Sequence, residues 1–222
     1  MAARRTLLIL DIVGVGALLV YLLAALNILP IVGSERITLA LVFGIGPVAI
    51  VAVLGIHELL RSSPSVFWLR VGTTFLIVAF ALLNLMLVVQ QTVRLQFRQF
   101  RLAAGDASQA ALLDAVFKGT NLIQLGIDVS FDVFYCLGVI ALSAVMYREP
   151  SFGRVLGAFG IVSASALLVF NLATFPYGPA DSGLVDLGPV TGVWWLCVIV
   201  QIKRNAARSA SKHEAPSSVD AA

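Results

Sequence analysis

Asn121, Gln124, Asp128 and Asp132 step by three, four and four along an apolar segment, so on a helix they form one polar stripe. A carboxylate at the centre of a bilayer costs about 2.5–3.5 kcal/mol on insertion scales, so such a stripe should face protein or water rather than lipid. Two ionised carboxylates one turn apart repel each other, and a pair of this kind is suited to relaying a proton or holding a cation. A plainer chemistry is also available. Arg94 leaves the preceding apolar segment at about the same level, with Arg98 and Arg101 following at i+4 and i+7. A pair between Arg94 and one of the aspartates would tie two helices together, and this structural role is the favoured expectation.

The other ionisable residues inside or beside apolar segments are few. Asp11 lies about one turn into the first apolar run, and Arg70 or Arg154 is placed to pair with it as an anchor for the helix end. His57-Glu58 has the residue types of an acid–base or metal site, but it lies at the opposite end of its segment from Asp128 and Asp132. A bilayer core about 30 Å thick then separates the two groups. The chain has no HExxH and no GxSxG. Cys136 and Cys197 sit in apolar segments without a CxxC or Cys/His spacing, as packed thiols do, and no disulfide is expected. No metal, no cofactor and no catalytic group follow from the sequence, which points away from an enzyme.

The elements that must position the stripe are membrane helices. Of the 222 residues 59% are hydrophobic and 12% charged, against roughly 25% charged in soluble domains, and the mean hydropathy is +0.97. Apolar runs near 7–29, 37–56, 71–93, 120–147, 155–175 and 184–203 each approach the ~20 residues that a span requires, the last starting near Leu184 or at Gly188-Pro189. The expected fold is all-α, a polytopic bundle of six transmembrane helices over 1–204, followed by a disordered cytoplasmic tail over 205–222. The run at 7–29 exceeds the apolar core of a signal peptide and reads as a retained helix. The basic residues sit at segment ends and form no continuous stripe, which excludes nucleic acid and leaves the lipid bilayer as the partner.

Orientation follows from where Lys and Arg fall. With both termini inside, the inner segments carry Arg4, Arg5, Arg61, Arg70, Arg148, Arg154, Lys203, Arg204, Arg208 and Lys212, and the outer segments carry Arg36, Arg94, Arg98, Arg101 and Lys118. Ten against five favours a multi-pass protein of the cell membrane with cytoplasmic termini. The longest connection, about 90–118, is expected to begin as a continuation of the third helix past the membrane surface and to break at Gly105-Asp106. Gly153, Gly157 and Gly160 form a small-residue face, suited to packing against another helix or a second copy of the chain. Asn84 and Asn171 are expected to bond between helices, and Trp194-Trp195 to pack mid-span.

The second half has a recurring punctuation: Asp128-x-x-x-Asp132, Phe152-Gly153-Arg154-Val-Leu-Gly157, Asn171-Leu-Ala-Thr-Phe-Pro176 and Gly183-Leu-Val-Asp186-Leu-Gly188-Pro189-Val-Thr-Gly-Val-Trp194. It resembles bacterial six-helix integral membrane proteins of a domain-of-unknown-function class, over about 66–203. That resemblance implies a fold and a membrane location and no activity. The sequence therefore points to a non-enzymatic membrane protein with a structural, regulatory or partner-binding role. The alternative is a small proton- or cation-coupled transporter using Asp128 and Asp132.

Overall fold

The computed structural model describes residues 35–179 and 181–214. Within them the chain forms five helices and no strand: α1 (Glu35–Leu60), α2 (Val66–Leu102), α3 (Ala107–Arg148), α4 (Arg154–Thr174) and α5 (Gly188–Glu214). Four of these, α1 to α4, are long and apolar enough to cross a membrane. The apolar part of α5 runs only from Gly188 to Ile202 before Lys203 and Arg204. The first expected span at 7–29, with Asp11, lies outside the described residues, as does the end of the tail, 215–222.

Consecutive helices pack against each other in chain order, with α2 against α3 the most extensive pair. Small residues allow the close approaches. A Cβ on Gly72 would lie 2.9 Å from the Leu142 backbone nitrogen and 3.1 Å from the Gly138 carbonyl oxygen, so α2 and α3 meet backbone to backbone. A Cβ on Gly157 would lie 2.6 Å from the Tyr147 backbone, and one on Gly160 would collide with the Ser143 hydroxyl and the Trp194 ring. The face expected to serve helix packing or a second copy is thus occupied at Gly157 and Gly160 by α3 and α5 of the same chain, while Gly153 faces open space. Trp194 is fully buried, and its Nε1–H donates to the Leu156 carbonyl at 3.1 Å.

Helix α2 has 37 residues and α3 has 42, about 55 and 63 Å at 1.5 Å per residue. Both exceed a hydrocarbon core of about 30 Å, so together they form a hairpin that outruns the span. The break falls at the expected place. Asp106 caps α3 by accepting from the Gln109 backbone N–H at 2.8 Å, and the Gln109 side chain accepts from the Gly105 N–H at 2.9 Å, a reciprocal cap. Phe97 meets Phe117 edge-on at 5.4 Å, and Arg101 pairs with Asp114 at 3.3 Å.

Two boundaries differ from the sequence reading. The fourth segment begins at Ala107 rather than near 120, because hydropathy marks the membrane-spanning part of a helix and not its polar continuation. The last helix begins at Gly188, the later of its two expected starts, but continues through Glu214 rather than ending near 203, so the first part of the expected disordered tail is helical. Gln201 and Asn205 both donate to the Ser151 carbonyl, at 2.6 and 2.8 Å, and these bonds fasten α5 to the α3–α4 turn where the polar stretch starts.

Candidate functional site

The polar stripe on α3 serves two different cavities. Asp132 lies on the wall of a cavity of about 100 Å³ to which all five helices contribute. Helix α3 supplies Phe131, Asp132 and Tyr135; α2 supplies Phe80, α4 Leu167, α5 Thr191 and Trp195, and α1 the small residues Ala49 and Ala52. The aromatic walls are mutually fixed. Trp195 Nε1–H donates to the Tyr135 hydroxyl at 2.9 Å, Phe131 and Tyr135 lie 5.3 Å apart by ring centroid, and Phe80 lies 6.3 and 6.2 Å from Tyr135 and Trp195.

One carboxylate stands in this apolar setting. Asn171, buried on α4, donates from Nδ2 to Asp132 Oδ2 at 2.7 Å, as expected of an interhelical bond. A carboxylate has about four acceptor positions, so the Asn171 bond leaves capacity on Asp132 for a second donor.

Asn121, Gln124 and Asp128 line a second, polar cleft of about 390 Å³ between α2 and α3, completed by Gln90, Arg94, Phe117 and Leu125. The helix geometry explains the grouping. On α3 these residues fall at i, i+4, i+7, i+8 and i+11 from Phe117, one face of a helix, opposite Gln90 and Arg94 one turn apart on α2. The expected guanidinium–carboxylate tie is absent. Among the described residues the ion pairs within 4.0 Å are Arg61–Glu58 and Arg101–Asp114, both well exposed. Arg94 and Asp128 share a cleft without closing onto each other, and the polar partner that holds Asp132 is the neutral Asn171.

A third carboxylate, Asp186, was not singled out by the sequence. Its Oδ1 accepts from the Gly188 N–H at 2.8 Å at the start of α5.

His57 Nδ1 lies 2.8 Å from the Thr73 hydroxyl, which itself donates to the Leu69 carbonyl at 2.8 Å. The ring nitrogen must then be the donor, and the bond ties α1 to α2. Among the described residues no group of three His, Cys, Asp or Glu side chains is placed to hold a metal. Cys136 is buried, Cys197 exposed, and both are free thiols. Arg70 is exposed, and its expected partner Asp11 lies outside the described residues. The Tyr135–Trp195 bond joins positions 60 residues apart, which no local pattern reveals. The signal available was the run Phe131, Asp132, Tyr135 on one side of a helix.

Comparison with known protein families, curated proteins and solved structures finds no match for this chain.

Proposed function

We propose that the chain is a non-enzymatic, multi-pass protein of the cell membrane that binds a small organic ammonium ion in the Asp132 cavity and carries it across the bilayer. On this reading it crosses the membrane six times, with both termini cytoplasmic. The observation that carries the reading is the single carboxylate of Asp132 on the wall of an otherwise apolar, aromatic cavity.

The size and lining of the cavity select the ligand class. About 100 Å³ is the space of roughly three waters at about 30 Å³ each. A metal ion stripped of its water would need oxygen ligands on every side, and Phe80, Phe131 and Trp195 do not supply them. An ammonium with small alkyl substituents needs one counter-charge and apolar or π surface elsewhere. Asp132 supplies the charge, and a ring face adds about 0.5–2 kcal/mol by cation–π attraction. Asn171 fixes the carboxylate, so little ordering is required on binding. A proton and an ammonium compete for the one carboxylate, and this competition is the means of coupling transport to a proton gradient.

A second reading is favoured by one observation, the 2.7 Å bond from Asn171 to Asp132. On that reading the pair is only a clamp between α3 and α4. Proteoliposomes distinguish the two. The full chain is reconstituted and the uptake of radiolabelled tetramethylammonium is followed with an imposed pH gradient. Carrier function gives uptake above protein-free liposomes that collapses when the gradient is dissipated and is lost in Asp132→Asn. Uptake equal to that of protein-free liposomes leaves the clamp as the better account.

A further inference from the structure

The cleft between α2 and α3 calls for a different ligand from the Asp132 cavity. Trp68 and Arg70 near the start of α2, and Tyr147 and Arg148 at the end of α3, are the residue types that mark a membrane surface. A span of about 20 residues from there ends near Gln90 on α2 and near Asp128 on α3. The cleft that these two residues share therefore straddles the opposite surface, where hydrocarbon gives way to headgroups. Helix α2 continues to Leu102, about 18 Å further, and α3 runs beside it, so the cleft is backed by the protruding hairpin.

Its chemistry is bipolar. Arg94 presents a guanidinium and Asp128 a carboxylate to one space of about 390 Å³, within the range of about 300–1,000 Å³ typical of small-molecule pockets. Neither closes an ion pair within 4.0 Å among the described residues. Arg94 on α2 and Asp128 on α3 line the same cleft from its two walls, so one ligand with both charges can meet both. Gln90, Asn121 and Gln124 supply amides that donate to an anionic group and accept from a cationic one, and Phe117 offers a ring beside the guanidinium end.

We infer that the Arg94–Asp128 cleft binds a small zwitterion, an anionic group and a primary ammonium on a short linker, the chemistry of an aminophospholipid headgroup. An arginine fork suits a phosphate oxygen pair, and a primary ammonium has three protons to share among one carboxylate and the neighbouring amides. The inference rests on residues other than those of the Asp132 cavity and stands or falls independently of ammonium transport.

The test uses the purified full chain, stripped of lipid in detergent, and reads thermal stability. Phosphatidylethanolamine, phosphatidylcholine and phosphatidylglycerol are added separately in mixed micelles, and phosphoethanolamine is added as the free headgroup. A ligand present at about 100 times its Kd raises the Tm of a protein this size by roughly 5–10 °C. The wild-type chain is expected to respond most to phosphatidylethanolamine. Arg94→Gln should abolish the response to phosphatidylethanolamine and phosphatidylglycerol alike. Asp128→Asn should erase the preference for the first over the second, a change that a merely structural role would not produce. Asn121→Ala, at an exposed position, gives a milder loss without endangering the fold. If free phosphoethanolamine reproduces the full shift, the natural ligand is a soluble zwitterion; if only the lipid does so, it is the bilayer headgroup. A wild-type chain indifferent to headgroup, or a preference that survives Asp128→Asn, overturns the inference.

Discussion

Asn171 on α4 donates to Asp132 on α3 at 2.7 Å, at the wall of the aromatic cavity and 39 positions away in the chain. The bond orients the one carboxylate of that cavity and joins two helices at the same time. These two roles give different results when either residue is changed.

Asn171→Leu removes the donor and leaves the Asp132 carboxyl without its partner in an apolar setting, whereas Asp132→Asn leaves an amide that can still bond to Asn171. Interhelical side-chain bonds in membranes average about 0.6 kcal/mol and reach about 1.7. Asn171→Leu is therefore expected to lower stability more than Asp132→Asn. Denaturation in mixed micelles of both single variants and the double variant checks this, and equal losses would show that the stranded carboxyl costs no more than the lost bond.

Trp195 shapes the cavity with its ring and the Tyr135 hydroxyl with its Nε1–H. Trp195→Phe keeps a ring and loses both the larger π face and the bond. Ammonium affinity should fall roughly 2- to 30-fold, the equivalent of about 0.5–2 kcal/mol. Equilibrium dialysis with labelled tetramethylammonium measures it, and an unchanged affinity would place the ligand elsewhere.

Gly157 meets the Tyr147 backbone with no room for a side chain. Gly157→Leu must push α4 off α3, and overpacking of this kind costs about 1–3 kcal/mol or more. The expected result is a lower Tm and aggregation on size-exclusion chromatography. Gly153→Ala, where a Cβ meets nothing within 4 Å but φ is +84°, should cost only the backbone strain.

The hairpin of α2 and α3 outruns the bilayer, so its turn should be reachable from water. In a chain with Cys136 and Cys197 changed to serine, a single Ser108→Cys is expected to react with a membrane-impermeant maleimide in intact cells, while Ala79→Cys, buried in the bundle, is not. The same experiment fixes the side on which the hairpin lies. Asp106→Ala removes the α3 cap, at about 0.5–2 kcal/mol, and should raise amide hydrogen exchange near the turn.

The sequence carried the helices better than the site. Hydropathy located α1, α2, α3 and α4, and Gly105-Asp106 marked the turn, because apolar runs and a glycine–aspartate break are local signals. It did not carry helix length: the polar segment after 107 and the stretch after 204 continue as helices through side-chain bonds and packing to distant elements, such as Asn205 to Ser151. Asp128, Asp132 and Asn171 were singled out on the simple ground that polar groups are costly in a membrane. Their partners were not, since Arg94 was matched to the aspartates by depth alone. Depth is one coordinate. The rotation of α3 turns Asp132 away from Arg94 and toward Asn171, Tyr135 and Trp195, and that angle depends on how five helices pack together.

The most direct test of the account is the affinity of the purified chain for tetramethylammonium, measured by isothermal titration calorimetry in nanodiscs for the wild type and Asp132→Asn at matched thermal stability. The account predicts saturable binding by the wild type that competes with protons and weakens at least about tenfold in the variant, the equivalent of about 1.4 kcal/mol. Binding that is absent from the wild type, or equal in the two proteins, would contradict the assignment of Asp132 as the counter-ion of a carried cation.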